Sequence, residues 1–383
     1  MNNYFELDPL NLKVNFDILT LPGEHSLGWC YYECYPEIDS KYKVFGQSEY
    51  GRNMHFRVDF CHKELNRMNI YQPEWIKSYP FIESFHSFKD AEFDDPITIK
   101  TFTPDLHKIV THTSDKFLSS TLSKMRDLYL LDPRIPTYIN RYDKPSRSFN
   151  ITGIFNKNFY PLVYLWSGDK NFYGDYDSIC MKTIDPEDSY FKFTFGKMED
   201  TLRALAFQGM VSLHVYELDG KLFTEDVSIN VPDLVLYGIM SNLTDVEKFL
   251  STCVKGFDKT EVLEPTGYTI IERLSLPPYP VIRFPWLQNP NTMLFDLCNK
   301  NIKIIVQDPK VIGKSLWFNN VEKLTTKEFA ATGPMVGAIV TNSNTLENIN
   351  DVVYSNYSKF TSLPMINKHN LSLSLFNNIN KEE

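Results

Sequence analysis

Several groups of residues have types that could do chemistry. Gly313-Lys314-Ser315 has the residues that close a phosphate-binding loop, where lysine meets phosphate and a hydroxyl meets a metal ion. Such a loop needs another glycine five residues earlier, and Asp308 stands there. Its charge opposes phosphate where backbone N–H groups must cradle it, so the segment reads as a turn. Cys30 and Cys34, with Cys61 and His62, are types that hold zinc. Cys61 and His62 are adjacent, so on a strand they point to opposite faces and only one joins a site. Trp29, Tyr31, Tyr32 and Tyr35 around the first pair suit an aromatic core instead. His107 and His112, near Asp105, are five apart, which does not place two ligands on one helical face. Asp94-Asp95 and Asp185-Pro186-Glu187-Asp188 read as solvated turns, because neither has the alternation and glycine of a calcium loop. No G-x-S-x-G, H-E-x-x-H or G-x-G-x-x-G motif occurs. The expectation is a protein with no catalytic residues, no metal site and no cofactor.

The elements that would position any site read as mainly β. Alternation of apolar and polar residues marks Met54–Phe60, Phe191–Phe195, Val211–Val215, Val227–Val231 and Leu371–Leu375 as half-buried strands. Ile97–Ile99 and Lys303–Val306 are shorter candidates. Asp219-Gly220 between two of these runs is a hairpin turn. Helices are expected at Asp115–Leu130 and Lys197–Phe207, and after the capping box Thr244-Asp245-Val246-Glu247. Strands spread along the whole chain favour antiparallel sheets over βαβ units.

The 383 residues exceed what one core usually serves. A domain boundary is expected near residues 241–265, where the third helix gives way to Glu264-Pro265-Thr266-Gly267. Phe, Tyr and Trp together make 14% of the chain, a wealth that suits sheet surfaces and interface centres. The net charge of −9, without a basic block, disfavours direct nucleic-acid binding. The N-terminus lacks the pattern of a secretory signal and no apolar run is long enough to span a membrane. The six cysteines are therefore read as free thiols.

One stretch resembles a family. Tyr160–Asp169, then Gly209–Val215, Thr224–Val231 and Asp233–Gly238, resemble strands of picorna-like virus capsid proteins. The resemblance implies an antiparallel β-sandwich of jelly-roll type with a few short helices in residues 1–245, a second β-rich domain or extended arm in 246–383, and a structural subunit of a symmetric shell. Its partners would be copies of itself or related shell subunits, and its place the virion, assembled in host cytoplasm. Tyr279, Phe284 and Trp286 are the expected interface or binding residues, because proline-flanked aromatics are hard to bury in a regular strand. Trp166, in an apolar run, is assigned to the core. Two other readings stand beside this one: a β-sandwich that binds a glycan or a protein, and a hydrolase whose site is assembled from distant loops.

Overall fold

A computed structural model of the chain describes residues 49–73, 76–78, 97–102, 108–113, 137–141, 145–156, 159–170, 176–228, 231–244, 267–277, 302–319, 321–345, 351–353, 360–361 and 367–368, with single residues 279, 355, 375 and 379. Two compact units emerge. One comprises Arg52–Ser148 and His214–Val227; the other comprises Met1–Gly51, Phe149–Leu213 and Ser228–Glu383.

In chain order the described helices and strands begin with α1 (Glu49–Phe56) and α2 (Val58–Arg67). Strands β1 (Ile76–Ser78), β2 (Ile97–Phe102), β3 (Lys108–Thr113) and β4 (Thr137–Arg141) form an antiparallel sheet in the order β1-β4-β2-β3. Next come β5 (Arg147–Asn156), β6 (Phe159–Lys170) and β7 (Tyr176–Thr183), then α3 (Ser189–Phe193) and α4 (Phe195–Ala204). Strands β8 (Gln208–Leu218) and β9 (Lys221–Ser228) precede α5 (Asp233–Ser241). The remaining strands are β10 (Tyr268–Ser275), β11 (Lys303–Val306), β12 (Leu316–Phe318), β13 (Val321–Lys323), β14 (Glu328–Ala331), β15 (Met335–Ser343), β16 (Phe360–Thr361) and β17 (Asn367–Lys368). The large sheet runs β12-β15-β10-β7-β6-β5-β8-β9, with β17 also paired to β10. It draws strands from both sides of residue 245. A third sheet is β13-β14-β11-β16.

Among the described residues helices pack on both faces of the large sheet at β5 and β6. Along β5 the side chains alternate, so Ile154 and Phe155 lie on opposite faces. Ile154 joins Leu162, Trp166, Ile179 and Met181 in one buried cluster with α5 residues Leu234 to Met240. On the other face Phe149 meets Tyr190 edge-on at 5.2 Å, and Tyr160 packs on Phe191 and Phe195 of α3 and α4. A jelly roll needs a second sheet stacked about 10 Å over the first. Among the described residues the middle of the sheet, at β5 and β6, carries helices on both faces where a jelly roll needs a second sheet, so the jelly-roll sandwich is wrong for this chain.

Three runs assigned to strands are helical, each for a legible reason. Among the described side chains of Met54–Phe60 the buried ones are Met54 and Val58, and Cys61 and Leu65 continue the stripe at helical spacing. Phe191 and Phe195 are buried one turn apart while Phe193 is 52% exposed. Asp188 accepts a hydrogen bond from Tyr190 N and caps α3. Asp233–Gly238, expected to close a sheet, is the start of α5; every residue from Asp233 to Met240 is buried, so no polar face betrays its period. The helix expected within Lys197–Phe207 is α4, and strands form over Ile97–Ile99, Val211–Val215 and Lys303–Val306. Strand β9 ends at Ser228, within the run expected to continue to Val231. The 115–130 helix, the capping box beyond Thr244 and the strand at 371–375, save Leu375, lie outside the described residues.

Burial also sets an alkaline limit on stability. Cys180 is fully buried on β7, and burial pushes its thiol up; burial likewise raises the Tyr160 and Tyr164 phenols. A group whose folded value is raised contributes in full below its unfolded value, and that contribution fades as pH climbs towards the folded value. The denaturation midpoint is therefore expected to fall once pH exceeds about 8.5, the ordinary thiol value, and further above about 10 for the phenols. Cys180→Ala should remove the first part. A midpoint constant from about pH 7 to about pH 10.5 would refute this.

Candidate functional site

The hairpin β8–β9 is built by its turn. Asp219 and Gly220 both take positive φ, 50° and 73°, which is the two-residue turn that matches strand twist. Counting outward, His214 stands five residues before Asp219 and Glu225 five after Gly220, so the two face each other across the ladder. His214 Nδ1 lies 2.6 Å from Glu225 Oε2, and Ser148 of β5 places its Oγ 3.1 Å from the other ring nitrogen, Nε2. The Glu225 side chain is 1% exposed and that of His214 26%. A carboxylate can only accept, so Nδ1 carries the proton and donates it to Glu225. Nε2 is then a lone-pair acceptor for the Ser148 hydroxyl. The carboxylate fixes the tautomer and orientation of the ring, and the ring polarises a hydroxyl. Arginine 147, one residue away, pairs with Glu217, and Ser146 Oγ donates to the Glu217 carbonyl at 2.9 Å, tying β5 to β8 beside the trio.

Further along β5 and β8, in the other unit, a second polar chain crosses the sheet. Trp166 Nε1 donates to Thr152 Oγ1 at 2.8 Å, and Thr152 donates to Ser212 Oγ at 2.8 Å, all buried. Trp166 is 2% exposed, in the core as its apolar run implies.

A third group surrounds β10. Arg273 is 4% exposed; its Nε donates to the Tyr176 carbonyl at 2.8 Å and its guanidinium lies 5.5 Å from the Tyr279 ring centre. The Tyr279 hydroxyl donates to Asp177.

Tyr279 is 5% exposed and held by Asp177 and Arg273 within its own unit. Phe284 and Trp286 lie outside the described residues, as do Cys30, Cys34 and His107. Cys61 is buried on α2 beside His62. Among the described residues no three of His, Cys, Asp and Glu stand together as a metal site. Gly313-Lys314-Ser315 is a turn whose N–H groups are spent internally: Gly313 N on the Leu316 carbonyl, Lys314 N and Ser315 N on that of Val311. The Lys314 carbonyl accepts from Trp317 and Ser241. Ser148, His214 and Glu225 were not singled out. The Asp-Gly turn was the available signal for pairing His214 with Glu225, whereas Ser148 comes from a strand more than sixty residues away in sequence.

No family model matches this sequence, and no curated protein does. Solved structures do. Phosphoribosylamine–glycine ligase from Thermotoga maritima superposes over 94% of this chain and 86% of its own, with a TM-score of 0.64 at 14% identity. Biotin carboxylase from Campylobacter jejuni, in a β,γ-ATP complex, covers 92% of this chain and 75% of its own, with a TM-score of 0.58 at 10% identity. N5-carboxyaminoimidazole ribonucleotide synthetase from Thermus thermophilus covers 91% and 82%, with a TM-score of 0.53 at 11% identity. The solved structures that share this fold are not capsid proteins, so the capsid resemblance is overturned, and with it the shell subunit, the virion location and the expectation of a non-enzyme that it carried. Alternating strands look alike in sequence whichever sheet they join. What these superpositions share with the chain is the fold: a sheet-rich architecture built on a large antiparallel sheet.

Proposed function

We propose that this protein is an ATP-dependent ligase, one that uses nucleotide hydrolysis to join a carboxylate to a second substrate. The observation that carries this reading is the length of the superposition, 94% of the chain on a phosphoribosylamine–glycine ligase. A second neighbour in the same fold was solved with ATP, a carboxyaminoimidazole ribonucleotide synthase with a TM-score of 0.52. Condensing a carboxylate with an amine in water requires the carboxylate oxygen to become a leaving group, and phosphoryl transfer from ATP achieves that. The incoming nucleophile must also lose a proton. His214, oriented by the buried Glu225, is the described group best arranged to accept one.

Calorimetric titration of ATP into the purified chain tests the first half of this reading, with saturable binding as the expected result. Phosphate release should then rise when panels of carboxylates and amines are supplied together, and His214→Asn should lower that turnover by about 10²–10⁴-fold. Absence of ATP binding at millimolar nucleotide would overturn the proposal.

A further inference from the structure

We propose that Ser148, His214 and Glu225 form a second, nucleotide-independent activity: a serine nucleophile that attacks activated acyl groups. The inference rests on geometry within one unit. The order of contacts is carboxylate to Nδ1 at 2.6 Å and hydroxyl to Nε2 at 3.1 Å, which is the arrangement that activates a serine. The two ends differ in access as such a relay requires. Glu225 is closed off from solvent, whereas His214 keeps a quarter of its side chain exposed and Ser148 is half-buried, so a substrate reaches the hydroxyl and not the carboxylate. Stability alone does not call for the trio. Burying a carboxylate costs more than burying an apolar side chain, and the neighbouring Val215 and Val227 show that this hairpin accepts fully buried apolar residues.

His214 Nε2 takes the Ser148 hydroxyl proton as Oγ bonds to the carbonyl carbon of an ester or thioester. The carbon–oxygen or carbon–sulfur bond to the leaving group breaks, and the leaving group departs with the proton from Nε2. Water, deprotonated by the same nitrogen, then attacks the acyl-serine; the acid is released and the Ser148 hydroxyl is restored. Glu225 stays ionised throughout and stabilises the imidazolium that forms. The required class of substrate is an activated acyl ester or thioester, and no oxidant or nucleotide enters the balance.

A fluorophosphonate probe and p-nitrophenyl acetate test this on the full chain without nucleotide. One covalent adduct is expected, mapping to Ser148 by peptide mass. Ser148→Ala should abolish both the adduct and the hydrolysis above background. His214→Asn and Glu225→Gln should each slow labelling by about 10²–10⁴-fold. Ser148→Cys keeps a nucleophile at the site and should be alkylated by iodoacetamide faster than the same variant carrying His214→Asn; equal rates count against the relay. Lack of an adduct, an adduct at another residue, or a labelling rate unchanged by His214→Asn overturns the proposal. These readouts contain no ATP, so their failure leaves the ligase reading standing, and failure of ATP binding leaves these readouts standing.

Discussion

Gly337→Ala is expected to unseat the edge of the large sheet and to cost on the order of 3–5 kcal/mol, the range of severe core disruptions. Gly337 lies on β15 opposite Phe318 of β12, with φ at +154°. A methyl group there would sit 1.9 Å from the Trp317 carbonyl oxygen and 3.0 Å from Phe318 Cα. Both are backbone atoms, so no side-chain rotation relieves the clash. Strand β12 would have to move away from β15, and their ladder would break. Trp317 would move with it. That indole is fully buried, stacks on Tyr237 of α5 at 5.6 Å, and donates to Ser241 Oγ at 2.6 Å. The loss therefore spreads from one strand pair to the helix that covers the sheet. Gly220→Ala is the control. It also has positive φ, but nothing lies within 4 Å of its added carbon, so it should cost only the backbone strain of about 1–2 kcal/mol. Denaturant titration of both variants measures the difference. A Gly337→Ala protein as stable as wild type would show that β12 does not pack on β15 as described.

Trp166→Ala has the second-largest expected effect, about 3–5 kcal/mol. The indole is 2% exposed on β6 and meets Tyr176 edge-on at 5.3 Å, in the cluster beneath α5. Its removal leaves a cavity among residues that are themselves fixed by the sheet. It also removes the donor to Thr152 Oγ1, whose hydroxyl in turn donates to Ser212. Trp166→Phe separates the two contributions. It keeps an aromatic ring but leaves Thr152 without that donor, which should cost about 1–3 kcal/mol. Equal losses for the two variants would mean that the hydrogen bond, not the packing, dominates. A loss under about 1 kcal/mol for Trp166→Ala would remove this residue from the core.

Local features were legible where chemistry acts over a few residues. The Asp219-Gly220 turn follows from two residues able to take positive φ, and it pairs β8 with β9 without further help. Trp166 reads as core from its apolar neighbours. The turn at Gly313 follows from Asp308 standing where a phosphate loop needs glycine. Short apolar runs were ambiguous. Met54–Phe60 and Phe191–Phe195 satisfy alternation and helical spacing together, and only the partner surface selects between them. The fully buried α5 shows no period at all, because both its sides are covered.

Turn chemistry and side-chain alternation are local properties, and they sufficed to read β hairpins and an aromatic-rich core from the residues alone. The packing of helices on both faces at β5 and β6, and the approach of Ser148 on β5 to the His214–Glu225 pair, are visible in the tertiary structure alone. The physical reason is the same in both cases. Which surface packs on a strand, and which distant strand lies beside it, depend on long-range burial that no short window of sequence contains.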